Sequence, residues 1–227
     1  MNKKFWIYTT IAGVLLVAFL TLTVLLTCVD VRPAGESGAE VGFATINEAV
    51  FDALGQFGDA PAALSAKFSG VCGVLMLTVM GAFCVTGLVQ VIRRKGILRA
   101  DKELYVMAGG LVLMAVAYVL FEIVVINCRP ILEDGELAAS YPSSHTMLAT
   151  TVAGMGAAYL YRRFKHPFWN CSPSASLIGL AVIAVLLRLE AGVHWLTDIV
   201  GGVLLGLFIT FVYLAVCALV THKKESV

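Results

Sequence analysis

The feature that most constrains this chain is its series of long apolar runs, between which most of its charged residues lie. A helix must be about 20 residues long to cross the ~30 Å hydrocarbon layer of a bilayer. Helices are the only open-chain structure that can do so, because lipid cannot pair with exposed backbone groups. The sequence therefore predicts an all-α, polytopic membrane protein, a six-transmembrane-helix bundle. We place its spans at about 5–29, 68–92, 104–126, 146–161, 174–189 and 197–220.

The composition fits one membrane domain covering residues 1–227. Of the 227 residues, 59% are hydrophobic and 14% are charged, and the net charge of +1 offers no basic surface for nucleic acid. The expected partner is the lipid bilayer, and the oligomeric state stays open. The six cysteines lack C-x-x-C spacing and are interpreted as packing residues. The alternative is a Cys28–Cys128 disulfide on the outer face.

The basic residues predict the orientation of the bundle. The N-terminal MNKKFWIYTT resembles a signal peptide, but its apolar run continues from Phe5 to about Val29 without a small-residue cleavage pattern, so we interpret it as a retained span. Most basic residues fall on alternate connections, and the positive-inside rule then places both termini in the cytoplasm. The exceptions are Arg32, Lys67, Arg129 and Arg188.

The first outer loop, Asp30 to Ala66, predicts an amphipathic helix. Apolar residues recur there at helical spacing, at Phe43, Ile46, Val50, Leu54 and Phe57. Thr45 and Glu48 match a T-x-x-E capping box, and Gly55 is a suitable stop. We interpret the segment as a surface helix packed on the bundle; the alternative is a lid or lipid-access element.

Three polar segments lie at the predicted outer ends of spans. They are Asn127 to Pro130, Pro142 to His145, and Arg188 with His194 and Asp198. A helix N-terminus exposes unpaired N–H groups, so the segment from Pro142 predicts an anion cradle to which two serine hydroxyls add donors. Because a guanidinium fork matches phosphate oxygens, Arg129 and Arg188 predict a phosphate clamp.

His194 and Asp198 stand four residues apart, on one face of a helix. A carboxylate there can hold one ring nitrogen and leave the other basic, as a nucleophile requires. Each signal has a simpler explanation when taken alone. A histidine near an interface commonly packs, arginine snorkels to headgroups, paired serines cap helices, and Trp195 anchors an interface.

Together the motifs resemble the three-part signature of the type 2 phosphatidic acid phosphatase superfamily, usually summarised as K-x6-RP, PSGH and SR-x5-H-x3-D. This sequence has R-P at Arg129, P-S-S-H from Pro142 and R-x5-H-x3-D from Arg188. The resemblance covers about Phe68 to Val220. It implies a helical bundle with an outward-facing site that hydrolyses a lipid phosphate or diphosphate without a metal or another cofactor.

The resemblance also implies roles for the matched residues. His194 would be the nucleophile that takes the phosphoryl group, Asp198 would orient it, and His145 would protonate the leaving lipid alcohol. The groups implied to hold the phosphoryl oxygens are Arg129, Arg188, Pro142, Ser143 and the backbone at Ser144 and His145. The division of labour between the two histidines comes from the resemblance alone.

Three positions depart from the family pattern. Glu122 replaces the lysine, Ser144 replaces the glycine, and Leu187 replaces the serine that precedes the arginine of the third motif. Glu122 lies two turns deeper than Arg129 on nearly the same helical face, and a buried carboxylate must pair or become neutral. We therefore predict that Glu122 pairs with Arg129 or Arg188 and modulates the clamp.

The resulting prediction is a cell-membrane lipid phosphatase acting through a phosphohistidine, with its site on the outer face. Undecaprenyl diphosphate, phosphatidylglycerol phosphate and phosphatidic acid remain open as substrates. One alternative is a non-catalytic lipid-phosphate binding or transport protein of the same fold. Another is a metallohydrolase ligated by His145, His194 and Asp198. A rhomboid-like serine protease is disfavoured, because neither Ser143 nor Ser144 has flanking glycines.

Overall fold

The computed structural model describes residues 3–55, 59–133, 135–164 and 166–222, and within them the chain forms a helical bundle. Its α-helices are α1 (Lys3–Leu26), α2 (Ala44–Gly55), α3 (Asp59–Arg93), α4 (Lys102–Ile123), α5 (Ser144–Arg163), α6 (Pro167–Glu190) and α7 (Leu196–His222). A short antiparallel hairpin of β1 (Arg32–Ala34) and β2 (Ala39–Val41) precedes α2. The all-α prediction therefore describes the bundle but missed this hairpin.

Among the described residues, five helices are long and apolar enough to cross a membrane: α1, α3, α4, α6 and α7. The predicted fourth span corresponds to α5, which is helical over 20 residues but is not one of the five. Half of α5 is buried, and it packs against α3, α4, α6 and α7. Small and polar side chains suffice on a helix that neighbours screen from lipid. The count of six spans therefore stays a prediction.

Several helix ends differ from the predicted spans. α3 begins at Asp59 rather than at Phe68, and α6 begins at Pro167 and continues through Pro173. The predicted spans followed apolar residues alone, whereas a helix continues beyond the lipid wherever its backbone bonds remain satisfied. α4 ends at Ile123, slightly before the predicted Ile126. The polar residues that follow it therefore lie on a loop.

The centre of the bundle depends on close packing between α5 and α7. A Cβ atom on Gly154 would lie 2.5 Å from Thr210 Oγ1, and one on Gly206 would lie 2.7 Å from Thr150 Cβ. Small residues permit this approach of two helices in a membrane protein. The N-terminal ends of both helices consequently meet, and the Ser143 amide donates a 3.0 Å hydrogen bond to the Asp198 carbonyl.

The first loop, residues 27–55, contains a helix where one was predicted, α2, and the described part of it reaches Gly55. The predicted inner face is wrong in part. Ile46 is 50% exposed, whereas Ala44 and Asn47 are buried and Phe51 packs on Trp195 at 5.6 Å between ring centroids. Apolar spacing missed this face because one of its members is polar. Phe57 lies outside the described residues.

The capping box at the start of α2 is also wrong. The Thr45 amide donates to Asp30 Oδ2 at 2.7 Å, so a carboxylate from before the hairpin caps the helix. These hydrogen bonds are the main reason that the pKa of Asp30 is held below its ordinary value. Glu48 pairs with Arg32 at 2.8 Å instead of reaching back to the helix start. The two partners of α2 are therefore Asp30, just before the hairpin, and Arg32, the first residue of β1.

The six cysteines are free thiols. Cys28 points into its own helix end, where its sulfur contacts the Val24 carbonyl at 3.4 Å, and Cys128 is half-buried. The alternative of a Cys28–Cys128 disulfide is therefore wrong for this structure.

Candidate active site

The loop from α4 to α5 folds back on itself and carries Arg129 to the start of α5. Arg129 and Ser140 donate backbone bonds to Ala138 (3.0 Å) and Asn127 (2.9 Å) respectively. The Arg129 guanidinium pairs with Glu133 at 3.1 Å and also contacts the Ala139 carbonyl. Its positive charge is thus held at the site by a partner that sequence analysis did not identify.

His194 lies in the short connection between α6 and α7 and contacts one charged residue from each helix. Nη2 of Arg188 is 3.1 Å from Nε2 of His194, and Nδ1 of His194 is 3.6 Å from Oδ2 of Asp198. Because a guanidinium only donates, Nε2 must be the acceptor and the ring proton belongs on Nδ1, facing Asp198. The ring therefore presents a basic nitrogen next to Arg188.

The surroundings of His194 favour its neutral form. Burial lowers its pKa most, Asp198 opposes this, and Arg188 and Arg129 lower it further. A neutral imidazole keeps its lone pair at neutral pH, which a nucleophile requires.

Asp198 is completely buried and is tied to the same turn. Its Oδ2 accepts a 2.9 Å hydrogen bond from the Trp195 amide, and the Trp195 indole N–H donates to the Cys128 carbonyl at 2.8 Å. Trp195 is itself 1% exposed. The prediction that Trp195 anchors a membrane interface is therefore wrong, because its ring is enclosed by the first loop and joins the loop before α5 to the start of α7.

The serine pair opens α5 without a side-chain cap. Ser143 occupies the cap position, yet its side chain makes no capping hydrogen bond and is completely buried. Several buried polar atoms here have no hydrogen-bond partner among the described residues: Ser143 Oγ, Arg188 Nε, His194 Nδ1 and Asp198 Oδ1. Buried polar groups ordinarily have hydrogen-bond partners, so these atoms indicate a site for a ligand. Ser143 Oγ and Arg188 Nε are donors suited to an oxyanion.

Two adjoining cavities connect these residues. The smaller is lined by Glu122, Arg129, Pro142, Ser144 and His194 among others. The larger, about 390 Å³, lies between α3, α4 and α5 and is lined mainly by apolar side chains, with His145 and Ser144 at its polar end. Both cavities share Ser144. The structure thus brings the three predicted segments together beside an apolar groove.

His145 lies in the first turn of α5, half-buried against α3. A Cβ atom on Gly73 would lie 3.1 Å from His145 Cδ2, so the absence of a side chain there leaves room for the imidazole. Arg188, His194 and Arg129 are close enough to act on it electrostatically. Both histidines therefore belong to one site.

The predicted ion pair of Glu122 is not formed. Its side chain is exposed at the wall of the smaller cavity, and none of the described residues pairs with it. α4 ends one residue after Glu122, and the loop that follows carries Arg129 away to Glu133. Helical spacing between the two residues was the basis of the prediction, and it does not apply beyond Ile123.

Asn47, which belongs to none of the predicted polar segments, is buried between the first loop and α7. One signal pointed to it: Asn47 is three residues after Ala44 and four before Phe51, the spacing of an inward helical face. A polar residue at such a position requires partners inside the protein.

The geometry of donors disfavours the metallohydrolase alternative. Over residues 3–55, 59–133, 135–164 and 166–222, no three His, Cys, Asp or Glu side chains are grouped as a metal site. Arg188 lies directly against His194, where a cation would meet a guanidinium charge.

The chain belongs to the PAP2 superfamily, whose sequence model matches residues 104–220 and so includes all three polar segments. Phosphatidylglycerophosphatase B of Bacillus subtilis is 38% identical over 79 residues, which are 34% of this chain and 38% of that protein. The similarity therefore spans well under half of that relative.

A solved structure shares the fold. It is the crystal structure of the first transmembrane PAP2 type phosphatidylglycerolphosphate phosphatase from Bacillus subtilis, with a TM-score of 0.58, 21% identity, and coverage of 95% of this chain and 96% of that one. With the apolar helices described above, this likeness makes the chain a multi-pass membrane protein.

Proposed function

We propose that this protein is an integral-membrane phosphatase that hydrolyses lipid phosphates through a phosphohistidine. The observation that carries the proposal is the contact between Arg188 and His194 Nε2, whose lone pair accepts the Arg188 N–H and is released for attack when the guanidinium binds a phosphate oxygen instead. The apolar groove ending at His145 gives a lipid tail a place beside the smaller cavity that His194 lines.

The reaction has two displacement steps. Nε2 of His194 attacks phosphorus and the bond to the lipid oxygen breaks. His145, which takes up a proton as the phosphate dianion enters the site, gives that proton to the leaving alcohol. Water then attacks phosphorus, the P–N bond breaks, and His145 recovers a proton from the water. Inorganic phosphate and the lipid alcohol are the products. No resident metal or cofactor takes part.

The protein's own groups stabilise the charge that develops on the phosphoryl oxygens. Arg188, Arg129 and the Ser143 hydroxyl are donors at the site, and the first amides of α5 add the positive end of a helix. Asp198 keeps the proton of His194 on Nδ1 and stabilises the ring as it becomes positively charged. Phosphate binding would supply the partners that Ser143 Oγ and Arg188 Nε lack.

We place phosphate monoesters ahead of diphosphates as substrates. The exposed carboxylate of Glu122 shares a cavity with Arg129 and His194. A diphosphate carries a second charged phosphate bonded directly to the first, and Glu122 would repel it. Phosphatidylglycerol phosphate is the favoured monoester, since phosphatidylglycerophosphatase B is a partial relative; phosphatidic acid is the next candidate.

The orientation of the bundle in the membrane follows from the basic residues on the connections between spans. Six spans with both termini in the cytoplasm put the α4–α5 loop, the α6–α7 connection and the first loop on the outer face. The active site then faces away from the cytoplasm.

The test is phosphate release from short-chain lipid phosphates by the purified full-length protein in detergent, with His194→Ala as the matched control. We expect release by the wild type that persists in excess chelator, and release at least ~10³-fold slower for the variant. A ³²P-labelled substrate should label the protein with an acid-labile, base-stable phosphoryl group. Binding of lipid phosphate without histidine-dependent release would support a non-catalytic lipid-binding protein instead.

A further inference from the structure

Asn47 is a buried polar residue in a helix that otherwise covers the bundle from outside. Its exposure is 0%, and it belongs to α2, far in sequence from the catalytic segments. A buried amide without hydrogen-bond partners destabilises a protein, so the partners of this side chain indicate its role.

Two of the three hydrogen bonds of this side chain join it to the first turn of α7. Nδ2 of Asn47 donates to Thr197 Oγ1 at 3.0 Å and to the Gly42 carbonyl at 2.9 Å. The Thr197 amide donates in return to Oδ1 of Asn47 at 3.2 Å. This amide is one of the donors that a helix leaves unsatisfied at its start. Asn47 therefore caps α7 from a different part of the chain.

The position of Thr197 gives this cap its significance, because Thr197 directly precedes Asp198 in sequence. A helix start is ordinarily capped by an oxygen from its own first residues, and an aspartate there is a favoured cap. Asn47 satisfies the Thr197 amide, so Asp198 Oδ2 can accept from Trp195 and face His194 Nδ1. Without Asn47, the nearest carboxylate would compete for the vacated donor.

The same loop also reaches the segment that carries Arg129. The Gly42 amide donates to Oδ1 of Asn127 at 3.3 Å, and the Ser37 amide donates to the Pro130 carbonyl at 2.9 Å. The first loop is thus bonded to the chain on both sides of Arg129 and to the turn that follows His194.

We propose that Asn47 is a positioning residue, which holds Thr197 so that Asp198 stays in line with Nδ1 of His194. The first loop is then part of the catalytic apparatus and more than a cover over it. This inference rests on the proposed phosphatase function.

The kinetic test compares four variants of the full-length protein. Asn47→Ala removes both hydrogen bonds to Thr197 and should lower kcat by ~10–100-fold while KM changes less than about threefold. The reason is that correct placement of Asp198 stabilises the transition state more than it stabilises the bound substrate. Thr197→Val removes the hydroxyl bond alone and should lower kcat ~3–10-fold. Thr197→Ser keeps both bonds and should restore activity. Ile46→Ala, on the exposed side of α2, is the matched control and should behave as wild type.

A merely structural role would reduce the amount of folded protein and leave the kcat of the folded fraction unchanged. Each variant is therefore assayed as a monodisperse peak, with kcat expressed per folded molecule. If Asn47→Ala does not fold, the comparison of Thr197→Val with Thr197→Ser decides the question. Wild-type kcat in the folded variants, or an effect on KM alone, would overturn the inference.

A spectroscopic test is independent of turnover. In protein labelled with ¹⁵N-histidine, the His194 signal is identified by its loss in His194→Gln. Wild type should show one tautomer, protonated on Nδ1, and Asn47→Ala should show a mixture of tautomers. An unchanged tautomer in Asn47→Ala would refute the positioning role, whether or not the protein hydrolyses a lipid phosphate. A failure of the wild type to hydrolyse any lipid phosphate would instead count against the proposed function alone.

Discussion

Nη2 of Arg188 lies 3.1 Å from Nε2 of His194, and the two residues come from α6 and from the connection that follows it. This single contact fixes the tautomer of the imidazole, because arginine can only donate. It also puts the cation that we propose binds phosphate beside the nitrogen that would attack phosphorus. Both requirements of a phosphohistidine mechanism therefore depend on the same pair of atoms.

Replacement of Arg188 by lysine tests that dependence. Arg188→Lys keeps the charge but loses the planar fork, so kcat/KM for a lipid phosphate should fall by ~10²–10³-fold. The measurement is steady-state phosphate release in detergent. Arg32→Lys is the control, since Arg32 is an exposed arginine paired with Glu48 in the first loop. Retention of activity within twofold in Arg188→Lys would show that the fork is not required.

The burial of His194 predicts a pH-dependent stability. Burial lowers its folded-state pKa below the ordinary 6.5, so the unfolded chain binds this proton more readily. The stabilisation is present above pH 6.5 and is lost as the pH falls towards the lowered pKa. The Tm of the wild type should therefore decrease from pH 7 to pH 5.

His194→Gln, which cannot titrate, should show a flatter dependence of Tm on pH. Thermal unfolding in detergent from pH 8 to pH 5 measures both proteins. Parallel curves for the two would mean that His194 does not take up a proton over this range.

The exposed Glu122 predicts an effect on substrate choice. Because the carboxylate pairs with none of the described residues, Glu122→Gln should leave monoester turnover within about threefold of wild type. Glu122→Lys should raise the ratio of diphosphate to monoester kcat/KM by about tenfold, equivalent to ~1.4 kcal/mol. The measurement compares matched short-chain monophosphate and diphosphate lipids. A ratio that is the same in all three proteins would mean that Glu122 does not influence selection.

We predict that the larger cavity, which Gly73 lines, holds part of the substrate. A side chain at this position would meet the His145 ring at 3.1 Å and fill the groove. Gly73→Leu should lower kcat/KM by at least ~10-fold, with a larger loss for long-chain than for short-chain lipid phosphates. Gly81→Ala, in the same helix with no atoms within 4 Å of the added Cβ, is the control. Equal losses for both chain lengths would place the tail elsewhere.

The apolar runs predicted the bundle correctly in kind, because hydrocarbon removes every alternative to paired backbone. They failed at helix ends such as Asp59 and Pro167, where polar or proline-containing segments continue a helix beyond its apolar part. They also placed α5 among the apolar spans, although it carries small and polar residues and neighbouring helices screen it from lipid.

The sequence alone determined the local chemistry that the proposed site offers, namely guanidinium forks, helix-terminal amides and an imidazole four residues from a carboxylate. Only the tertiary structure decided their partners. Arg129 pairs with Glu133 and not with Glu122, and Asn47 caps a helix 150 residues away in sequence. Such contacts depend on where a loop turns after Ile123 and on how closely α5 approaches α7, and no spacing along the chain encodes either distance.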